Sequence, residues 1–195
     1  TTEYKLYEKA YTPWEWQPKL KELADKIGII LFSSPFDLSS VDFLEEMDVP
    51  AYKIASPEIV DIPLIKKCAQ TGKTIIISTG VASVEDIALS VDTCRQEGNE
   101  NIILLKCTAE YPAPYNQMNL KTIENMTQTF NCPAGLSDHS LGDEIAIAAV
   151  AMGAKVIEKH ITLHRADGGV DSAFSMEAEE MGHMVEQIRH VEQAR

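Results

Sequence analysis

The residues that could do chemistry sit at the ends of six short apolar runs. Run 29–33 (IILFS) leads into Ser34-Pro35-Phe36, and run 51–56 (AYKIAS) carries Lys53 and is followed by Glu58. Run 74–79 (TIIIST) ends in Ser78-Thr79, and run 101–108 (NIILLKCT) ends in Lys106-Cys107-Thr108, with Glu110 and Tyr111 beyond it. Run 134–138 (AGLSD) holds Ser137 and continues into His139, and run 155–161 (KVIEKHI) contains Glu158 and His160. Two histidines at the ends of neighbouring strands can offer neutral imidazole nitrogens to one divalent cation. With water and substrate oxygens completing the shell, His139 and His160 describe an open, exchangeable site for Mn²⁺, Mg²⁺ or Co²⁺ rather than a closed structural zinc. Lys53 with Ser34, Ser78 and Ser137 supplies one point charge and several hydroxyl donors, which suits an oxyanion such as phosphate. A second chemistry is open to the lysines: Lys53 or Lys106 with a depressed pKa would be a Schiff-base nucleophile.

Period-two alternation predicts which of these groups share a face. Tyr52 and Ile54 are expected to face outward, toward covering helices, with Lys53 and Ala55 inward. The same reading puts Ile75, Ile77 and Leu136 outward, with Ile76, Ser78, Ser137 and His139 inward. In run 101–108 it turns Leu105 and Cys107 outward and Lys106 and Thr108 inward. In the last run Ile157 faces out, and Glu158 and His160 face in. A cluster of inward lysines and histidines is costly unless ligands or counter-charges meet it. His164, His183 and His190 read as solvated surface. Cys68, Cys94, Cys107 and Cys132 show no C-x-x-C spacing and read as small buried hydrophobes in a reducing compartment, hence the cytoplasm. A catalytic thiol at Cys107 is the lesser alternative.

The elements that must position these residues alternate strand and helix. Helices are predicted over 19–27, 41–47, 62–69, 84–95, 120–130, 144–152 and 176–193. Thr12-Pro13-Trp14-Glu15 and Ser83-Val84-Glu85-Asp86 read as helix starts, and Gly28, Gly72, Gly98 and Gly153 as helix stops before strands. Continuous apolar strands between amphipathic helices imply a parallel sheet covered on both faces. The absence of G-x-G-x-x-G after a strand weighs against a dinucleotide-binding sheet and favours a (β/α)₈ TIM barrel. Six βα units in 195 residues are two short of a barrel, and the expected omission is the first two. The composition is that of one globular domain, 45% hydrophobic and 24% charged, and the net charge of -13 argues against nucleic acid or an anionic membrane as partner. No apolar stretch approaches the roughly 20 residues needed to span a bilayer.

On these motifs the sequence resembles the sialic acid synthase family, the phosphoenolpyruvate-dependent nonulosonic acid synthases. The stretches that carry the resemblance are 33–36 (SSPF), 51–58 (AYKIASPE), 77–80 (ISTG), 106–115 (KCTAEYPAPY), 135–141 (GLSDHSL) and 156–161 (VIEKHI). Stretches 6–16 (LYEKAYTPWEW) and 169–176 (GVDSAFSM) are most similar to the pseudaminic acid synthase branch. The resemblance implies condensation of phosphoenolpyruvate with an open-chain acylamino sugar aldehyde, giving a nine-carbon sialic-acid-like sugar and phosphate. It implies that His139 and His160 bind the metal, and that Ser34, Lys53, Ser78 and Ser137 hold phosphoenolpyruvate. Glu58, Tyr111 and Glu158 would then lie near the acceptor sugar, with Glu158 and Lys53 the catalytic pair. Ala109 stands where the neuraminate branch commonly has asparagine, which favours a diacetamido-trideoxy acceptor over N-acetylmannosamine. The resemblance further implies a homodimer when complete, two more N-terminal βα units, and a C-terminal antifreeze-like domain. Neither extra part is in the sequence, so 1–195 is expected to be a partial catalytic barrel that does not turn over by itself. The alternatives are an N-acetylneuraminate synthase, a Schiff-base lysine aldolase on the same barrel, and a non-catalytic sugar-phosphate-binding barrel.

Overall fold

The computed structural model describes residues 4, 5, 8 and 10–195; of the stretch 6–16, Leu6, Tyr7 and Lys9 lie outside the described residues. The order is α1 (Gln17–Ile27), α2 (Leu38–Glu46), β1 (Ala51–Ile54), α3 (Ile62–Gln70), β2 (Thr74–Ser78), α4 (Val84–Gln96), β3 (Ile102–Cys107), α5 (Lys121–Phe130), β4 (Ala134–Asp138), α6 (Glu144–Ala151), β5 (Ile157–Lys159) and α7 (Ala178–Ala194). The strands form one parallel sheet in the order β1-β2-β3-β4-β5. Sequential order with a helix after every strand is the winding of a barrel wall, and the sheet is an incomplete TIM barrel.

Local chemistry sets the helix ends. Ser83 Oγ accepts from the Asp86 amide at 3.1 Å, and Asp86 accepts in return from the Ser83 amide at 2.9 Å, the reciprocal cap read in the sequence. Asp37 and Ser40 build a second such box ahead of α2. The cap expected at Thr12 is absent: Pro13 precedes only a 3-10 turn, Trp14–Trp16, and α1 begins at Gln17 with a proline in its first turn. Gly28, at φ 78°, ends α1 in the left-handed conformation that glycine adopts without a Cβ clash.

Between the sheet and its helices lies a continuous core that includes Tyr52, Ile54, Ile75, Ile77, Ile102, Leu104, Ala134 and Leu136. Each large aliphatic side chain fully buried there contributes about 1.5–3 kcal/mol. These residues lie opposite one another in the ladder, Ile75 against Ile102 and Ile77 against Leu104. The alternation that fills the helix side therefore leaves the intervening residues facing the barrel axis. Gly135 marks the tightest point of that inner face, where a Cβ would stand 2.2 Å from the Val156 carbonyl oxygen. Only glycine lets β4 and β5 approach this closely.

The expected strand at 29–33 is a correction. It contributes one parallel bridge, Ser33 to Tyr52, with the Lys53 amide donating to the Ser33 carbonyl at 3.1 Å. Ile29 and Ile30 are exposed. No described strand pairs with the outer side of this segment, so nothing completes a ladder there or covers its apolar side chains. The remaining five strands and seven helices fall where expected to within a few residues.

Candidate active site

Four side chains from four strands meet at the carboxyl ends of the sheet. Lys53 of β1 is buried, and its Nζ donates to Ser78 Oγ of β2 at 2.8 Å and to the Ile54 carbonyl at 2.9 Å. Glu158 of β5 stands 3.7 Å from the same ammonium through Oε2, while its Oε1 accepts from Ser137 Oγ of β4 at 2.6 Å. Burial lowers the Lys53 pKa, and the Glu158 carboxylate opposes that shift. Ser34 joins these groups around a cavity of about 420 Å³. The cavity thus brings together the Lys53 ammonium and the hydroxyls of Ser34, Ser56, Ser78 and Ser137, with the Glu158 carboxylate at one side.

The two histidines line the same cavity. His139 Nδ1 lies 2.9 Å from the Thr108 carbonyl, which can only accept, so Nδ1 carries the proton and Nε2 keeps a free lone pair. His160 Nδ1 lies 3.5 Å from Asp171 Oδ2, and this carboxylate orients the second ring in the same sense. The ring centroids are 5.3 Å apart. Burial pulls the His139 pKa down, but contact with Cys107 and the Thr108 carbonyl outweighs it and leaves the net shift upward. For His160 burial prevails and the pKa falls. No group of three or more His, Cys, Asp or Glu forms a metal cage among the described residues. Two imidazoles, each with its Nδ1 side engaged and its Nε2 available, fit an open site with two protein ligands.

Tyr111 lies over His139 with ring centroids 4.2 Å apart, and Phe174 packs against His160 at 5.0 Å. Glu58 falls outside the lining of this cavity. It occupies the turn Ser56–Val60, its Oε2 is buried without a hydrogen-bond partner, and burial raises its pKa against the pull of its own backbone and Lys53.

The predicted register of β3 is overturned. Lys106 pairs with Leu136 and Cys107 with Ser137, so Cys107 faces the axis and Lys106 the helices. Cys107 Sγ lies 4.0 Å from His139 Nδ1. Burial pushes its thiol pKa up, but contacts with His139, Ser56 and Ser137 prevail and lower it. Lys106 instead lies on the helix side and lines a recess between α4 and α5, with its ammonium bonded to the loop after β3, which removes it as a nucleophile in the cavity. All four cysteines are free and buried, as expected. Sequence reading weighed Cys107 as a thiol but turned it outward, and missed Ser56, Phe174 and Asp171 as neighbours of the site. The parity of Ile102 and Leu104 would have exposed Cys107. Phe174 and Asp171 arrive from the loop after β5, where no periodicity speaks.

The NeuB family model matches residues 1–195. The chain belongs to the NeuB family. It is 42% identical over 191 residues to pseudaminic acid synthase of Campylobacter jejuni, covering 98% of this chain and 56% of the relative. It is 43% identical over 173 residues to N,N'-diacetyllegionaminic acid synthase of the same organism, covering 88% and 52%. The crystal structure of N-acetylneuraminic acid (sialic acid) synthetase from Leptospira borgpetersenii superimposes with a TM-score of 0.94 at 34% identity, over 97% of this chain and 66% of that one. The chain therefore spans little more than half the length of these curated NeuB-family relatives. No helix among its described residues is long and apolar enough to cross a membrane.

Proposed function

We propose that this NeuB-family chain holds phosphoenolpyruvate and an amino-sugar aldehyde in one mouth and joins them, as the catalytic barrel of a pseudaminic-acid-type synthase. The observation that carries the reading is the convergence of Lys53, Ser78, Ser137 and Glu158 with His139 and His160 on one cavity of about 420 Å³. Lys53, Ser34, Ser78 and Ser137 suit the phosphate and carboxylate of phosphoenolpyruvate, since a buried ammonium backed by hydroxyls exchanges internal bonds for charge-assisted ones. A divalent cation on the two imidazole Nε2 atoms would supply Lewis-acid polarisation of the aldehyde when bound.

C3 of phosphoenolpyruvate forms the new bond to the aldehyde carbon, water adds at C2, and the C2–O bond breaks to release phosphate. Glu158, already hydrogen-bonded to Ser137 and facing Lys53, is placed to take the proton from that water. Tyr111 and Phe174 wall the histidine side with aromatic surface, and Phe174 also lines an adjoining cavity of about 550 Å³. An aromatic wall suits the apolar edge of a deoxy sugar, and by the family resemblance Ala109 lacks the side-chain amide that the neuraminate branch commonly carries in this loop. Both features support a diacetamido-trideoxy acceptor.

The test uses the protein at its full natural length, incubated with phosphoenolpyruvate and a panel of amino sugars, with products read by mass spectrometry. A nine-carbon acid and one phosphate per turnover are expected, abolished by EDTA and restored by Mn²⁺, Mg²⁺ or Co²⁺. Full turnover under EDTA by a His139→Ala, His160→Ala double variant would overturn the assignment. Trapping of Lys53 by borohydride with pyruvate would replace it with the Schiff-base reading.

A further inference from the structure

Lys106 is a buried ammonium that the proposed reaction does not use. Its position on β3 points it at the helix layer, where an aliphatic residue would fill the space without a desolvation penalty. Every other buried lysine of the barrel has a carboxylate, Lys53 with Glu158 and Lys159 with Asp138. Among the described residues Lys106 has no acidic side chain within ion-pair distance. What it has instead is three neutral acceptors, one at the end of β3 and two in the loop that follows. Nζ donates to the Cys107 carbonyl at 3.2 Å, to Thr108 Oγ1 through a short hydrogen bond, and to the Gln117 carbonyl at 3.5 Å. Thr108 Oγ1 in turn donates to the Gln117 carbonyl at 3.3 Å. The two ends of loop 108–117 are therefore tied through one ammonium and one hydroxyl.

That loop is what holds the histidine side of the mouth. The Thr108 carbonyl accepts from His139 Nδ1 and thereby fixes its tautomer. The Ala113 amide donates to the His139 carbonyl at 2.9 Å. Tyr111, between these two points, packs against the His139 ring at a tilt of 31°. A loop with ten residues' worth of freedom cannot hold a ring and a carbonyl to a fraction of an ångström unless its ends are fixed.

We propose that Lys106 is a positioning residue, whose ammonium clamps loop 108–117 from behind so that the Thr108 carbonyl and Tyr111 stay set against His139. Its link to catalysis rests on the function proposed above, but the clamp itself does not. A lysine suits this task because its three donors match three acceptors that a planar amide could not serve together.

The experiment compares Lys106→Met, which keeps the buried stem and removes the donors, with wild type at full natural length. Hydrogen exchange of amides in 108–117 is expected to accelerate about tenfold or more, because hydrogen bonds to a charged group are lost. Mn²⁺ affinity, titrated by electron paramagnetic resonance, is expected to fall about 10- to 100-fold, the usual cost of losing an outer partner of a metal-ligating histidine. In turnover, kcat/KM for the sugar should fall while KM for phosphoenolpyruvate stays within about twofold. Thr108→Val cuts the hydroxyl link without touching the lysine, and should reproduce the loop effect more weakly; it decides the matter if Lys106→Met does not fold. Wild-type exchange in 108–117 together with wild-type Mn²⁺ affinity would overturn the proposal. So would faster exchange spread evenly over the whole sheet in both variants, since Lys106 would then hold the fold rather than the loop. If wild type makes no product, the proposed function falls, and loop exchange still decides the clamp.

Discussion

Two lysine–carboxylate pairs, one between β4 and β5 and one between β5 and β1, differ in nearly everything else. Behind β4 and β5, Lys159 donates to Asp138 Oδ2 at 2.8 Å and to the Ser140 carbonyl at 2.7 Å, while Asp138 Oδ1 accepts from the Ser140 amide and hydroxyl. Their side chains are 2% and 0% exposed. In front, Lys53 and Glu158 stand 3.7 Å apart, 10% and 38% exposed, beside an open cavity. The rear pair is closed on itself, with short bonds in place of water. The front pair is loosely engaged, and its remaining valences face the space a ligand would fill. Pair geometry, rather than the mere presence of charge, separates the brace from the site.

That contrast breaks most sharply at the rear. Asp138→Ala leaves the Lys159 ammonium buried with one carbonyl for company, and should cost about 3–5 kcal/mol in urea denaturation. Replacing both partners, Asp138→Leu with Lys159→Met, should recover most of that loss, because an apolar pair needs no desolvation. A single variant within about 1 kcal/mol of wild type would show that the rear pair is no brace.

The front pair should respond in the opposite currency. Lys53→Met removes an ammonium whose partner is distant, so the denaturation midpoint should stay near wild type or rise. Phosphoenolpyruvate binding, measured by calorimetry, should weaken by about 1.5–3 kcal/mol, the worth of hydrogen bonds to a charged group. Unfolding as severe as that of Asp138→Ala, with binding intact in whatever remains folded, would erase the distinction between the pairs.

The same contrast explains what could be read from the sequence. Runs such as TIIIS and IILLKC gave β2 and β3 because their continuous apolar character has no other stable home than a covered sheet. Parity then placed Lys53, Ser78, Ser137, Glu158 and His160 correctly on the axis, since each alternates with a residue that must meet the helices. It misplaces Lys106 and Cys107, whose polarity suggests the wrong face. The core positions Ile102 and Leu104 set the right one, and a lysine can be buried on the helix side if backbone carbonyls receive it. Run 29–33 has strand-like residues, but a ladder needs a neighbour on the pairing side, and pattern alone does not supply one. Asp171 and Phe174 were invisible for another reason. Their role comes from how the loop after β5 folds back, with the Met176 amide donating to the His160 carbonyl at 2.9 Å, and nothing periodic encodes that return.

Glu58 offers the smallest and most discriminating probe, a carboxylate belonging to neither pair. Its Oε2 is buried with no donor, and burial raises its pKa above the ordinary 4.5, against the opposing pull of its own backbone and Lys53. A carboxyl that is harder to ionise in the folded state holds its proton after the unfolded chain has lost it. As pH rises above the ordinary value toward the folded one, the native state binds more protons than the unfolded state, and stability falls across that window. Glu58→Gln cannot ionise and escapes this loss. The variant should match wild type in thermal midpoint near about pH 4 and exceed it near about pH 7, by a margin that opens between the two. The family resemblance puts Glu58 near the acceptor sugar, and on that reading the same variant should lose some affinity for the sugar while gaining stability. A midpoint difference that stays constant across the range, or that favours wild type at neutral pH, would mean that Glu58 finds a partner in solution and belongs with the braced carboxylates after all.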